Sequence, residues 1–349
     1  MINAGMADAM ATDAMATEAM ATEAMATPQP EAAVSAPTEE RHPGTHDLDS
    51  MSTLELLRTL NAEDARVAPA VLQILPQLAA AVDLTVGRIR AGGSVHYFGA
   101  GTSGRLAVID AAELMPTFNA PDGLFVAHHA GGPGALLKAA ENVEDDAGLG
   151  ARDASVVGPG DVVLGLTASG RTPYVGGALA AARARGALTV LITANPRAEL
   201  AGQVEHVLAV DTGPEVITGS TRLKAGTAQK LVLNGFSTAV MVRLGRTWSN
   251  LMVDMVATNA KLRGRVIRIL REATGADELA ARQALELASG ELKPALLSLL
   301  AGTEPDLARR ALELHHGSVA DALRSIQGDQ ASTPGNNRHQ ASIDEETTR

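Results

Sequence analysis

The stretch Phe98–Phe118, FGAGTSGRLAVIDAAELMPTF, decides how the rest of the chain is interpreted. It contains the pattern G-x-G-x-x-G directly after a short β-like run, SVHY. In dinucleotide-binding folds these glycines let the backbone approach a pyrophosphate, and an acidic residue about 20 positions further on binds ribose. Here the next apolar run ends in LFVAHHAGG, with no acidic residue at its tip. The sequence therefore argues against a dinucleotide site.

Hydroxyl side chains in this loop indicate a different ligand. Thr102 and Ser103 lie where a helix should begin, and a helix N-terminus attracts anions through its free N–H groups and its dipole. A second loop, LGLTASGRTPY, repeats the arrangement with Ser169, Gly170 and Thr172. Both loops follow apolar runs, so we expect them at the carboxyl edge of one sheet, where they could share one phosphate. The alternative is that these residues only cap helices and form turns.

Apolar strand-like runs alternate with helical segments on both sides of these loops. The runs are SVHYFG, GLFVAH, DVVLGL, ALTVLIT and HVLAV, and the segments between them include SGRLAVIDAAEL, GALLKAAENVEDD and TPYVGGALAAARARG. Nearly continuous apolar strands between helices are typical of a parallel sheet that is covered on both faces. The sequence predicts an α/β fold with a doubly wound, mainly parallel sheet.

Helical patterns flank this α/β core. A lead-in from Ser52 has a Ser-x-x-Glu capping box and stops at Gly92 and Gly93. Two long helices are predicted in TAQKLVLNGFSTAVMVRLG and NLMVDMVATNAKLRGRVIRILREATG, followed by three short ones in a small helical appendage. The predicted divisions are a low-complexity disordered tail with AMAT repeats at 1–37, the lead-in at 38–85, the core domain at 86–249, the C-terminal helical region at 250–327 and a second disordered tail at 328–349.

Composition narrows the possible functions. The 349 residues carry a net charge of −11 and only 2% aromatic residues, which makes a nucleic-acid partner improbable. There is no cysteine, so disulfides and cysteine-ligated zinc are excluded. No window reaches the roughly 20 uninterrupted apolar residues of a membrane span, and the N-terminal repeats lack the features of a secretion signal. We expect a cytoplasmic protein with no membrane partner.

Several segments resemble a known family. GAGTSGR and TASGRTPY are similar to the phosphate-side loops of the sugar isomerase (SIS) domain. Together with ENVEDD, EVITGSTRLKAGTAQKLVLNGFSTAVMV and NLMVDMVATNAKL, they resemble the bacterial N-acetylmuramic acid 6-phosphate etherases over roughly Thr38 to Ile326. One departure is His42, where the family usually has Asn; it concerns the lead-in and leaves the catalytic positions unaffected.

The resemblance implies a flavodoxin-like SIS fold, a phosphosugar substrate and a reaction that replaces C3-linked D-lactate by water. Glu113 and Glu144 match the family's acid/base positions, and we choose Glu144 over Glu141 by aligning without a gap from Glu113. Glu113 lies in an apolar stretch, whereas Glu144 lies in an acidic run that would ordinarily be solvated, so its assignment depends on the resemblance.

The segment GSTRLKAGTAQK adds two cations. Arg222 and Lys224 could contact the lactate carboxylate or the phosphate, although a surface loop before a helix would explain them equally well. His128 and His129 are adjacent rather than at metal-ligand spacing, and two further histidines, His315 and His316, fall in the appendage. We expect neither a metal nor an organic cofactor.

The position of Glu113 bears on the assembly. If a helix begins at Ser103, Glu113 lies ten residues along it, about 15 Å from the phosphate end. Either the helix ends early near Pro116, or Glu113 serves the phosphate loop of a neighbouring subunit. The dimeric SIS architecture favours the second, a homodimer with shared active sites.

Two other functions would use the same fold. A phosphosugar isomerase would share the loops but would not predict the long EVITGSTRLKAGTAQK match, and a non-catalytic sugar-phosphate regulator, like glucokinase regulatory protein, could lose the acid and base. The presence of Glu113 favours the enzyme.

Overall fold

The computed structural model describes residues 35–332, apart from 139, 141 and 255–259. The predicted tails at 1–37 and 328–349 fall mostly outside these residues, so their disorder stays a prediction.

The helical lead-in consists of α1 (Thr53–Asp64), α2 (Val67–Leu72) and α3 (Leu75–Arg90). The predicted capping box is confirmed, because the Ser52 N–H donates to Glu55 Oε2 at 2.9 Å and the Glu55 N–H donates to Ser52 Oγ at 3.4 Å. In the described part of the chain no single helix has the length and composition of a membrane span. The segments Thr53–Leu72 and Leu75–Arg90 reach that length and composition only when they are taken together, and the chain bends by 58° between them.

The core domain alternates strands and helices as the sequence predicts. In chain order its elements are β1 (Val95–Gly99), α4 (Gly101–Phe118), β2 (Phe125–His129), α5 (Gly134–Leu137), α6 (Ala147–Asp153), β3 (Val162–Leu166), α7 (Pro173–Ala184), β4 (Leu188–Thr193), β5 (His206–Ala209) and α8 (Lys224–Arg243). The five strands form one parallel sheet in the order β2-β1-β3-β4-β5. This flavodoxin-like order confirms the predicted doubly wound fold.

Both faces of the sheet are covered. Val162 and Leu164 of β3 belong to an apolar cluster that also contains residues of α2, α3 and α8, whereas Val163 belongs to the cluster formed with α7 on the other face. Successive residues of a strand point to opposite faces, so nearly every position of β1, β3 and β4 is buried. This explains the continuous apolar runs in the sequence.

The C-terminal region is helical, as predicted, but it begins with a hairpin. The hairpin joins β6 (Thr247–Trp248) to β7 (Leu251–Met252), and it is followed by α9 (Ala260–Thr274), α10 (Glu278–Leu287), α11 (Leu292–Ala301), α12 (Pro305–Leu314) and α13 (Val319–Ser332). The prediction that the long helix starts at Asn250 was therefore wrong. Ser249, at φ 52°, turns the chain there, and Trp248 pairs with Leu251. The helices enclose their own apolar cluster around Leu270 and Leu296.

The prediction of a helix throughout the segment GALLKAAENVEDD is also corrected. In the described part of this segment, which leaves out residues 139 and 141, the helix covers only Gly134–Leu137, and Asn142 has φ 64°, a left-handed conformation that interrupts a helix. Asp146 then caps α6, because its carboxylate accepts the Leu149 N–H at 2.8 Å.

Helices α6 and α7 cross at very short range. A β-carbon on Gly150 would collide with the carbonyl oxygen of Tyr174, and one on Gly177 would collide with the carbonyl oxygen of Ala147. Glycine at both positions lets the two backbones touch. The contact fixes the helix that follows the second hydroxyl loop.

We expect Gly177→Ala to lower the free energy of unfolding by roughly 1 to 3 kcal/mol or more, because the two backbones must separate. The control is Gly87→Ala in α3, where an added β-carbon meets no atom within 4 Å. This change should be neutral or should stabilise by up to about 1 kcal/mol, as expected for Ala over Gly in a helix. Urea unfolding of both variants measures the difference, and equal stabilities would contradict the close contact.

Candidate functional site

The first hydroxyl loop joins β1 to α4 in the predicted way. Strand β1 ends at Gly99 and helix α4 begins at Gly101, so Thr102 and Ser103 lie in its first turn. Ser103 is buried and Thr102 is half-buried. The residue before the helix is Ala100, whose side chain cannot cap it. The first-turn N–H groups therefore lack a side-chain partner from the N-cap position, and a bound anion could take that place.

The second loop is organised by a buried threonine. Thr167 Oγ1 lies 2.7 Å from Thr172 Oγ1 and 3.3 Å from Ser169 Oγ, and it accepts the Gly170 N–H at 3.2 Å. Thr172 precedes α7 but makes no side-chain cap bond to it. The hydroxyls of Thr172 and Ser169 are thereby held together at the N-terminus of a second helix.

Asn195 supports this loop and was missed by the sequence analysis. Its Nδ2 donates to the carbonyl oxygen of Ser169 at 2.9 Å. The available signal was a polar side chain two residues after the end of the buried strand β4, at the same sheet edge as both loops.

The two loops lie side by side at the point where the sheet changes direction. Strands β1 and β3 are adjacent and parallel, and Gly99 pairs with Leu166, so both strands end at the same level. The chain leaves β1 towards β2 and leaves β3 towards β4, which opens a crevice at the carboxyl edge. The sequence prediction that both loops share one edge is confirmed by this register.

Glu144 lies beside this crevice. The carbonyl oxygen of Glu144 accepts the Tyr174 N–H at 2.9 Å, which ties the acidic segment to the first turn of α7. Glu144 and Asp145 line a cavity of about 400 Å³ together with Gly101 of the first loop. The competing residue Glu141 lies outside the described residues.

Two further side chains of the same cavity, Arg105 and His129, were not among the predicted site residues. The guanidinium of Arg105 donates to the carbonyl oxygens of Leu136 and Ala135, both at 2.9 Å, and so holds the end of α5 against α4.

Glu113 is distant from both loops of its own chain. Helix α4 continues without a break from Gly101 through Pro116 to Phe118 and ends at Asn119, which has φ 50°. The alternative that the helix ends early was therefore wrong. Glu113 lies 12 residues beyond Gly101, which corresponds to about 18 Å along the helix axis. Its side chain is exposed on the helix surface.

Lys224 points into the protein. Its side chain is 2% exposed, and Nζ lies 2.6 Å from Glu63 Oε2 of helix α1. Glu63 also lies 3.1 Å from Arg66 and 3.3 Å from His42, the position that departs from the family pattern. Burial acts to raise the pKa of Glu63, but the hydrogen bonds and charges of Lys224 and Arg66 outweigh it and lower that pKa to about 2.

Helix α8, which begins at Lys224, is capped from within. The fully buried carboxylate of Glu215 accepts the backbone N–H groups of Lys224 and Ala225 at 3.0 and 2.9 Å. Arg222 is exposed and borders a separate cavity with Thr45. The structure therefore brings neither predicted cation into the cavity that Glu144 lines.

The adjacent histidines of β2 face different surroundings. His128 stacks on Phe98 with ring centroids 4.3 Å apart and lies 3.0 Å from His96. Burial, followed by the charge of His96, lowers the pKa of His128 to about 4. Within the described ranges, no three His, Asp or Glu side chains are grouped as metal ligands would be.

Replacing Glu63 by Gln should destabilise the fold by about 2 to 4 kcal/mol, because it leaves the buried Lys224 charge without its partner. The pKa of Glu63 is below its ordinary value of 4.5, so the stabilisation is complete above that pH and is lost as pH falls towards 2. The stability difference between wild type and variant should shrink over the same pH range in urea titrations. The control, Glu278→Gln, removes an exposed ion pair with Arg282 and should have no measurable effect.

Comparison with known proteins agrees with this geometry. Residues 77–183 match the glucokinase regulatory protein N-terminal SIS domain, and residues 136–239 match the SIS domain. The N-acetylmuramic acid 6-phosphate etherase of Thermobifida fusca is 59% identical over 271 residues, which are 78% of this chain and 89% of that protein. Those of Pectobacterium atrosepticum and Rubrobacter xylanophilus are 54% and 53% identical over 76% and 77% of this chain, and 88% and 90% of their own lengths. With its five-stranded sheet and two hydroxyl loops, the chain belongs to the N-acetylmuramic acid 6-phosphate etherase family.

Proposed function

We propose that this protein cleaves the D-lactyl ether of N-acetylmuramic acid 6-phosphate and releases D-lactate and N-acetylglucosamine 6-phosphate. The observation that carries the proposal is the 59% identity to a protein of that name over 78% of the chain. The geometry supports it, because two helix N-termini without a side-chain cap from the preceding residue, each with a hydroxyl loop, meet at the switch point of the sheet.

The phosphate would bind at the two loops. First-turn N–H groups of α4 supply backbone donors, and the side chains of Thr102, Ser103, Ser169 and Thr172 supply hydroxyls, while Gly170 lets the backbone turn at φ 76°. Lys224 takes no direct part in this recognition, because its ammonium group is held by Glu63. Lys224 acts on the site through the start of α8: Gly226 of that helix is close to Thr102, since an added β-carbon would lie 3.6 Å from Thr102 Cγ2.

The chemistry requires a base and an acid. In the open-chain sugar the aldehyde acidifies the proton on C2, and a carboxylate removes it. The electrons of the broken C–H bond form the C2–C3 double bond as the C3–O bond breaks, and a carboxylic acid protonates the departing lactate oxygen. Water then adds its oxygen to C3, and a proton returns to C2. Glu113 and Glu144 are the two carboxyl groups proposed for these transfers.

The site would be shared between two subunits. Glu113 is exposed about 18 Å from the phosphate end of its own helix, and on the same helical face lies Ile109, which is 49% exposed. An exposed apolar residue next to a proposed catalytic group suits a surface covered by a second copy. In a two-fold homodimer, Glu113 of each chain would meet the phosphate loops of the other. A phosphorylated substrate and the absence of cysteine favour the cytoplasm as the place of action.

The first test is incubation of the purified protein with N-acetylmuramic acid 6-phosphate while D-lactate release is followed. Glu113→Gln keeps the shape of the side chain but removes the proton carrier, so turnover should fall roughly 100-fold or more while N-acetylglucosamine 6-phosphate still binds. Glu286→Gln, an exposed glutamate of α10, is the control and should leave turnover unchanged. Product binding without any lactate release by the wild type would point to a non-catalytic sugar-phosphate regulator.

Subunit mixing tests the shared site. An inactive Glu113→Gln chain is combined with an inactive Ser169→Ala, Thr172→Ala chain under conditions that exchange subunits. A shared arrangement regenerates one intact site in each heterodimer, so lactate release should recover to a measurable fraction of the wild-type rate. If each chain built its own site, every heterodimer would carry two damaged sites and activity would stay absent.

A further inference from the structure

His129 lies beneath the first hydroxyl loop. It is the last residue of β2, it pairs with Gly99 of β1, and only 7% of its surface is exposed. The N–H of the following residue, Ala130, donates to the carbonyl oxygen of Gly99 at 3.0 Å. The histidine therefore sits where β1 passes into the loop.

Both ring nitrogens of His129 face carbonyl oxygens. Nδ1 lies 2.7 Å from the carbonyl oxygen of Ala130, and Nε2 lies 3.2 Å from that of Gly101. A neutral imidazole has one N–H donor and one lone-pair acceptor, whereas the protonated ring has two donors. In either neutral tautomer one lone pair would face a carbonyl oxygen and one hydrogen bond would be lost. Both contacts can be hydrogen bonds only if the ring carries two protons.

We infer that His129 is an imidazolium that fixes Gly101 and adds a positive charge beneath the first phosphate loop. The ring is held in place by packing, because a β-carbon on Gly104 would lie 2.5 Å from His129 Cδ2. Gly104 belongs to the first turn of α4, so the ring lies directly against the helix end that the loop presents.

The charges around the ring are compatible with a cation. Helix α4 contributes Arg105, whose guanidinium is directed to the carbonyl oxygens of Ala135 and Leu136. The segment before α6 contributes the carboxylates of Glu144 and Asp145, which line the same cavity as His129.

This inference deepens the proposed function and depends on it only for the identity of the anion. A fixed cation next to the positive end of a helix should strengthen the binding of a phosphate ester. His129 acts through Gly101 and is therefore a positioning residue.

Nitrogen NMR of the full-length wild type with labelled histidine tests the charge directly, with the ring assigned through its connection to the backbone. The measurement is made at pH 7.5, where an unperturbed imidazole is about nine-tenths neutral. We expect two protonated ring nitrogens in His129. One protonated and one unprotonated nitrogen would overturn the inference, whatever the outcome of the lactate assay.

Calorimetry with N-acetylglucosamine 6-phosphate tests the consequence. His129→Gln should weaken binding about 3- to 10-fold at pH 7.5, an effect of the size of a charge at a helix terminus. The matched control is His206→Gln, in the half-buried first residue of β5, which should bind as the wild type does. Unchanged affinity in a folded His129→Gln would remove the proposed role in phosphate binding. These readouts do not require catalysis, so a failure here is distinct from a failure of the proposed reaction.

Discussion

The parallel pairing of β1 with both β2 and β3 is the constraint on which the site depends. The chain leaves β1 and β3 in opposite directions along the sheet. Two helix N-termini therefore approach one crevice, where their loops can contact one ligand. Glu144 reaches the same crevice through the bond between its carbonyl oxygen and the Tyr174 N–H. The contact between Gly150 and the backbone of α7 then fixes this helix laterally. A change in strand order would separate all of these parts.

Helix capping decides which N-termini can bind a ligand. The start of α8 is occupied by the buried carboxylate of Glu215, so its dipole is already compensated within the protein. The residues before α4 and α7, Ala100 and Thr172, make no such side-chain bond. In the described part of the core domain, the first turn of α4 is thus left open for an external anion, whereas in the first turn of α7 Pro173 has no N–H and the Tyr174 N–H donates to the carbonyl oxygen of Glu144. A chain with a net charge of −11 can attract a phosphate in this way only locally, through backbone dipoles and fixed cations.

The sequence predicted the sheet well because the central strands β1, β3 and β4 are buried along their whole length and the strands are bounded by turns. It also located the hydroxyl loops, since Ser, Thr and Gly directly follow two of the apolar runs in GAGTSGR and TASGRTPY. The partner of Lys224 could not be predicted, because Glu63 is 161 positions away and only packing brings the two together. The hairpin at Ser249 could not be predicted, because the apolar residues around it fit a helical pattern equally well. Histidine spacing excluded a metal pair at His128 and His129 but gave no sign that His129 supports a loop.

The rigidity of α4 connects the proposed chemistry to the proposed assembly. One helix, continuous from Gly101 to Phe118, carries hydroxyls at its first turn and Glu113 about 18 Å further along its axis. Within one chain, a phosphosugar held at the first turn cannot reach the carboxylate near the other end. Two-fold symmetry changes this, because a contact from residue i to residue j in one direction is repeated from j to i in the other. In the proposed homodimer, a continuous helix with functional groups at both ends would be an advantage, since each end would complete the site that the partner's opposite end begins.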